Sequence, residues 1–344
     1  MSWKSRVGLG HIAVVGTVPP DVFAVVMAAG ILSIAAADHE YRALATILGL
    51  LASAMFALLL VVAVVRVTIG PSGNWARRRD PDVALRMFTF VAASAVLATR
   101  WGAHRVIAST LTALGLVAWL VLVPLALRDV QSRTRSNLLD HVHGAWLLAT
   151  VATEGVTITA ADMSARTGTA ALTALAAIVM AGGVLVYPLV AGAIVARTVS
   201  AKRHSDTLSP DMWILMGALA ITSLAADHVL AAVVGEDTIG WLAEGLPPLA
   251  CAMWIAATAW IPLLLYVEIW EVETRAGALR YQRVWWAAVF PLGMYAAATD
   301  ATSTHLHIRW LSAVSVGAFW VAAAVWSVVG LGLARRTVGA ARRP

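Results

Sequence analysis

Apolar runs long enough to cross a bilayer recur from one end of this chain to the other, and they leave little room for any other kind of fold. A helix needs about 20 largely apolar residues to span a ~30 Å hydrocarbon core. Such runs occupy 20–37, 43–65, 83–99, 106–127, 143–162, 168–196, 211–234, 244–270, 284–300 and 309–334. In lipid every backbone polar group must be bonded within its own segment, so each run is expected to be helical. The expected fold class is an all-α membrane protein of ten transmembrane helices, paired as five helical hairpins. It forms one domain over 1–344, with short tails at 1–19 and 335–344. Composition agrees: 60% of residues are hydrophobic and only 13% charged, too few to cover a soluble surface.

The formal charge of +6 does not point to nucleic acid, because the basic residues sit in short loops between apolar runs. Alternate loops and both ends hold nineteen of the 25 Lys and Arg residues. The opposite loops hold Arg42, Arg100, Arg105, Arg166 and Arg309, and Arg86 falls within a run. By the positive-inside rule both termini are cytoplasmic, in a multi-pass protein of the inner (plasma) membrane. A miscounted span would scramble this alternation. Trp75, Trp101, Trp213, Trp241, Trp270, Trp285 and Trp310 stand near span ends, as interfacial anchors do. The start, Met1 to Arg6, is basic, but no small-residue cleavage site follows, so no removable signal peptide is expected. The single cysteine, Cys251, rules out a disulfide within the chain.

A charged side chain at a helix centre costs ~2.5–3.5 kcal/mol on insertion scales, so those inside the spans point to function. Arg86 is in span three, Glu154 near the middle of span five, and Asp227 with His228 in span seven. All are odd-numbered spans. The simplest arrangement puts the odd helices around a central conduit and the even helices against lipid. On span five, Trp146, Thr150, Thr153, Glu154 and Thr157 recur at intervals of three and four and share a face. That face is either a pore-lining, ligand-contacting stripe or a helix interface glued by hydroxyl hydrogen bonds. Arg86 and Glu154 could pair across the bundle. An unpaired Glu154 in a low dielectric would hold its proton and could carry it, a reading that Glu154→Gln tests through the pH dependence of transport. In span nine, Pro291 cannot donate to the carbonyl of Ala287, so a kink is expected there. A kink could swing Phe290 into or out of the axis; the alternative is that Phe290 is core packing.

Three segments resemble one known family. They are Asp21–Phe23 through Met27, Gly30, Ile31, Leu32 and Ser33 in span one; Trp146 to Thr153 in span five; and Trp285 to Tyr295 in span nine, the most specific. Together they are similar to the tellurite-resistance/dicarboxylate transporter family, which includes the plant slow-type guard-cell anion channels. The resemblance covers almost the whole chain. It implies five hairpins around a conduit, often in trimers, with proline-kinked inner helices and a phenylalanine of span nine, here Phe290, as the pore gate. Gly30, Ser33, Pro291 and Met294 join Arg86, Trp146, Thr150, Thr153, Glu154, Thr157, Asp227 and His228 as candidate pore-lining or substrate-binding residues. The chain departs from the family pattern at Ala28 and Ala29, and at Glu154, where relatives carry a neutral polar residue.

The expected function is transport of small anions, dicarboxylates such as malate or sulfite- and tellurite-type oxyanions, through a phenylalanine-gated conduit with possible proton coupling. The expected partners are those anions, the bilayer and two further copies in a homotrimer; no cofactor, metal or nucleic acid is expected. One alternative is a passive nitrate or chloride channel. Another is a membrane-embedded enzyme using Asp140, His141 and His143, His305 and His307, or the pairs Asp38–His39 and Asp227–His228. These are scattered over both faces, which argues against one metal site. There is no glycine-rich phosphate loop for ATP-driven pumping.

Overall fold

The computed structural model describes residues 19–69, 80–200, 209–233, 240–274 and 281–341. Several residues of the charge and anchor readings lie outside these: Lys4, Arg6, Trp75, Arg77, Arg78, Arg79, Lys202, Arg203, Arg275, Arg280, Arg342 and Arg343. So does the tail at 1–19 apart from its last residue. The described elements are helices: α1 (Ala24–Asp38), α2 (Arg42–Ile69), α3 (Pro81–Arg100), α4 (Arg105–Gln131), α5 (Arg135–His141), α6 (Leu148–Thr167), α7 (Ala170–Ser200), α8 (Ile214–Val233), α9 (Leu242–Thr274), α10 (Trp286–Leu306) and α11 (Arg309–Ala341). Apart from the short α5, each falls on one of the apolar runs. By length and composition α2, α3, α4, α7, α9, α11 and α8 with its preceding turn suffice to cross a membrane.

Local chemistry sets the ends. Asp80 caps α3 by accepting the backbone N–H of Asp82 at 3.2 Å, and Pro81 follows at a position whose N–H would go unbonded anyway. Gly168, at φ +63°, closes α6 in the left-handed conformation that glycine adopts without steric cost. Two ends differ most from the sequence reading. α10 continues from the expected 300 to Leu306, because Thr302 and Thr304 bond the carbonyls of Ala298 and Asp300 one turn back. α11 runs to Ala341, so residues 335–341, expected in a tail, are helical.

Five helices close a ring: α1 packs on α3, α3 on α6, α6 on α8, α8 on α10, and α10 back on α1. Each also packs against the helix that follows it in the chain, α2, α4, α7, α9 or α11. Burial separates the two sets. In their most apolar stretches α3 and α8 are 67% and 78% buried, against 17–28% for the five outer helices. Leu58, Val117, Ile178, Leu189, Ile255 and Val328 of the outer set are exposed, an apolar surface that lipid would cover. Where ring helices touch, small residues let them approach closely. A Cβ on Gly217 of α8 would lie 2.7 Å from the Cβ of Pro291 on α10. One on Gly293 of α10 would lie 2.8 Å from Ile31 of α1.

The ring has two chemically distinct ends. α6, α8 and α10 all begin in a 3₁₀ turn, at Gly144–Leu147, Pro210–Trp213 and Arg283–Trp285, at the end that also carries Arg86. This is the basic end. At the opposite, acidic end four of the five inner helices carry an aspartate: Asp38 of α1, Asp162 of α6, Asp227 of α8 and Asp300 of α10.

Candidate functional site

Two cavities lie within the ring, and each is walled by all five of its helices or the turns that lead into them. The larger, about 240 Å³, opens toward the acidic end. Its walls are mostly apolar, with Ile31, Ala95, Gly155, Ile158, Leu224 and Met294; its polar groups are Asp38, Thr99, His228 and Asp300. The smaller, about 30 Å³, sits toward the basic end and is lined by Asp21, Met27, Arg86, Thr89, Leu148, Asp211, Arg283 and Phe290 among others. Phe290 borders the smaller cavity and Met294, one turn further along α10, the larger. Both side chains are almost fully buried, as are Met27 and Ile31 of α1 beside them. The narrowest stretch of the axis is therefore apolar, and Pro291 and Gly293 lie within it.

At the basic end the starts of three inner helices are tied together. His143 precedes the turn that leads into α6 and lies outside the helix; its Nδ1 is 2.7 Å from Asp211 and its Nε2 3.4 Å from Asp82. The Trp146 indole donates to Asp82 at 2.7 Å, and the Ala145 N–H donates to Asp211 at 3.0 Å. Burial opposes a charge on His143, but hydrogen bonds to Asp211 and Asp82 outweigh it and push its pKa up to about 9. Gly144 is required by close approach: a Cβ there would run into the backbone of Asp211, 2.8 Å from the N of Met212. Arg86 faces Asp21 at 3.4 Å, and its Nε is buried without a hydrogen-bond partner among the described residues.

At the acidic end histidines bridge the inner helices. His228 Nδ1 is 2.6 Å from Asp162, His305 Nδ1 is 3.2 Å from Asp227, and His39 Nδ1 is 3.9 Å from Asp300. The sequence neighbours thus do not pair with each other: His39, Asp227 and His228 each turn to a partner on another helix. No grouping of three or more His, Cys, Asp or Glu side chains suited to a metal ion occurs among the described residues.

A family model described as a voltage-dependent anion channel matches residues 17–334. The chain belongs to that family. Its members are channels and transporters of anions rather than enzymes. Two membrane proteins of Mycobacterium tuberculosis, from strains CDC 1551 and H37Rv and both described as uncharacterized, are each 32% identical over 143 residues. The match covers 41% of this chain and 72% of each relative.

For a member of the anion-channel family, the sequence candidates fall into three groups. Phe290, Met294, Arg86 and His228 line the two cavities, and Pro291 sits in the narrow stretch between them, against Gly217. Gly30, Ser33, Trp146 and Asp227 make contacts between elements: Gly30 against Val96, Ser33 donating to the carbonyl of Ala45 and accepting from Arg100, Trp146 on Asp82, and Asp227 on His305. Thr150, Thr153, Glu154 and Thr157 line neither cavity. Thr153 accepts from the Trp119 indole of α4 at 3.0 Å, while Thr150 is buried with a hydroxyl that has no partner among the described residues.

Glu154 is fully buried against Gly183 of α7, and its suggested pairing with Arg86 is not formed. The hydroxyls of Thr157 and Thr222 beside it donate to the carbonyls of Thr153 and Ala218, which leaves both carboxyl oxygens without a hydrogen bond among the described residues. The residues of α6 and its leading turn that do line the cavities are Ala145, Leu148, Gly155 and Ile158. Sequence reasoning missed them because apolar and small residues look like packing. It also missed Asp82, Asp162, Asp211 and Asp300; the recurrence of an aspartate near one end of odd-numbered spans was the available signal.

Proposed function

We propose that this protein moves small anions across the membrane along the axis of the α1–α3–α6–α8–α10 ring, with the Phe290 side chain as the gate. The observation that carries the reading is the position of Phe290. It borders one axial cavity, Met294 borders the other, and the stretch between them is tightly packed. Arg86 and Arg283 line the smaller cavity together with Asp21 and Asp211, and the Arg86 Nε, without a partner among the described residues, is a donor that an anion approaching from the basic end would meet. In this reading α1–α4 and α6–α11 each cross the bilayer of the plasma membrane as five hairpins, with both termini cytoplasmic and three copies associating. The substrates are four-carbon dicarboxylates or small oxyanions of the sulfite and tellurite kind.

The test is anion flux in proteoliposomes across malate, sulfite, tellurite, nitrate and chloride. Phe290→Ala should raise the flux of whichever anion the wild type carries, because it removes the bulk of the plug. Equal flux in variant and wild type counts against the gate. No flux of any of these anions in either protein counts against anion movement itself.

One set of observations favours a proton-coupled carrier over a passive channel. An anion entering from the acidic end meets Asp38 and Asp300 in the wall of the larger cavity, and Glu154 lies buried off the axis. Carboxylates repel an anion unless they are protonated or paired. A proton gradient applied across the same proteoliposomes separates the two modes, since a passive nitrate or chloride channel gains no driving force from it.

A further inference from the structure

A groove of about 1120 Å³ runs along the lipid-facing side of α11 where that helix meets the start of α10. Its floor is Val325, Val329 and Gly332, and Val328 and Leu331 stand exposed along it. At one end the lining changes character within a single turn of α11. Arg335 and Arg336 are exposed there, and Tyr281 and Trp285 face them from the segment that leads into α10. Neither arginine has a carboxylate partner among the described residues. Gly332 is what admits Tyr281, since a Cβ at that position would lie 2.8 Å from the tyrosine ring.

The sequence of surfaces is apolar channel, aromatic pair, then two guanidiniums. It matches acyl chain, interfacial glycerol region and phosphate in the order in which a phospholipid presents them. Two adjacent arginines beyond the apolar stretch add a preference for a headgroup with net negative charge.

We propose that this groove is a binding site for an anionic phospholipid of the leaflet on the basic side. One acyl chain lies along Val328 and Leu331, and the phosphate is held by Arg335 and Arg336. The Tyr281 hydroxyl accepts from the Trp286 indole at 3.4 Å, and Trp286 stands one turn before Phe290 on α10. A bound lipid therefore braces the segment from which the gate helix starts. Lipid binding itself does not depend on the anion-transport reading and can be measured without flux.

The full chain, purified in detergent, would be examined by native mass spectrometry with added phosphatidylglycerol and phosphatidylcholine of the same acyl chains. The expected result is a retained phosphatidylglycerol adduct that phosphatidylcholine does not displace. R335Q/R336Q should weaken it about 30-fold, the ~2 kcal/mol that two basic residues contribute at a lipid surface. Val328→Trp fills the channel but keeps both arginines, and it should also reduce retention. Equal retention of the two lipids, or an adduct unaffected by R335Q/R336Q, would overturn the proposal. Displacement by inorganic phosphate alone would overturn it as well, because the site would then hold a free anion. So would a cross-link from Val328→Cys to a second copy in native membranes, because the groove would then be a protein interface.

Discussion

Gly217→Ala is the sharpest perturbation of the ring. The new Cβ would lie 2.7 Å from Cβ, 2.8 Å from Cγ and 3.0 Å from Cα of Pro291, and ordinary contact starts at 3.4 Å. The shortfall is 0.4 to 0.7 Å at three atoms. None can rotate away, because one belongs to the backbone and two to a ring. α8 and α10 must therefore separate, in a region where both are buried. Overpacking of this kind costs about 1–3 kcal/mol.

A melting series in detergent would compare wild type, Gly217→Ala, Pro291→Gly, Pro291→Ala and the two double variants. Pro291→Gly removes two of the three clashing atoms, whereas Pro291→Ala removes only Cγ and leaves Cα and Cβ in place. The coupling between the sites should thus be about 1 kcal/mol or more with glycine and clearly smaller with alanine. Each proline variant's own helix effect cancels in such a cycle. Additivity within about 0.5 kcal/mol for both doubles would refute the contact. Equal coupling for the two doubles would refute the argument that the proline Cβ is what α8 meets.

Gly183→Ala should also destabilise, by about 1 kcal/mol, because its Cβ would lie 2.9 Å from the carboxyl carbon of Glu154, whose fully buried side chain would have to swing aside. Glu154→Ala should restore most of the loss and the similarly shaped Glu154→Gln little of it, both read by apparent melting temperature. At the basic end, the His143 pKa is raised from 6.5 to about 9 by its two aspartates. A raised pKa means stability fully present below pH 6.5 and lost as the pH climbs through 9. The melting-temperature gap between wild type and His143→Gln should therefore be widest at pH 6 and narrow by pH 10. A gap that stays constant across that range would contradict the pairing.

The helices were legible for a physical reason. In hydrocarbon the backbone has no partner but itself, so a long apolar run has one outcome, and the expected 106–127 and 244–270 became α4 and α9 with only their ends extended. Phe290 was singled out through family resemblance, and it lines the smaller cavity. Its neighbours Pro291 and Gly293 then proved to be contact points, with Gly217 and Ile31. The stripe on the fifth span was harder to read. Thr153 and Thr157 bond the carbonyls of Ala149 and Thr153, one turn back, so a threonine in a membrane helix satisfies itself and marks no water. The axis is instead lined by Gly155, Ile158 and Leu148, residues whose one-dimensional pattern is that of any packed helix. A pair between Arg86 and Glu154 was one reading of the sequence, but Arg86 faces Asp21, just before the first helix and 65 positions away in sequence.

The histidine bridges at the acidic end and the His143 cluster at the basic end share one property: every bridge joins different inner helices. The basic-end cluster ties α3, α6 and α8 and the acidic-end bridges tie α1, α6, α8 and α10, so the ring is held over part of each rim rather than at mid-height. That is where Phe290, Pro291 and Gly293 follow one another, so movement there amounts to a local bend or the turn of one aromatic ring. With Phe290 as the proposed gate, a small anion would pass there without either mouth widening and without the outer helices shifting against the lipid.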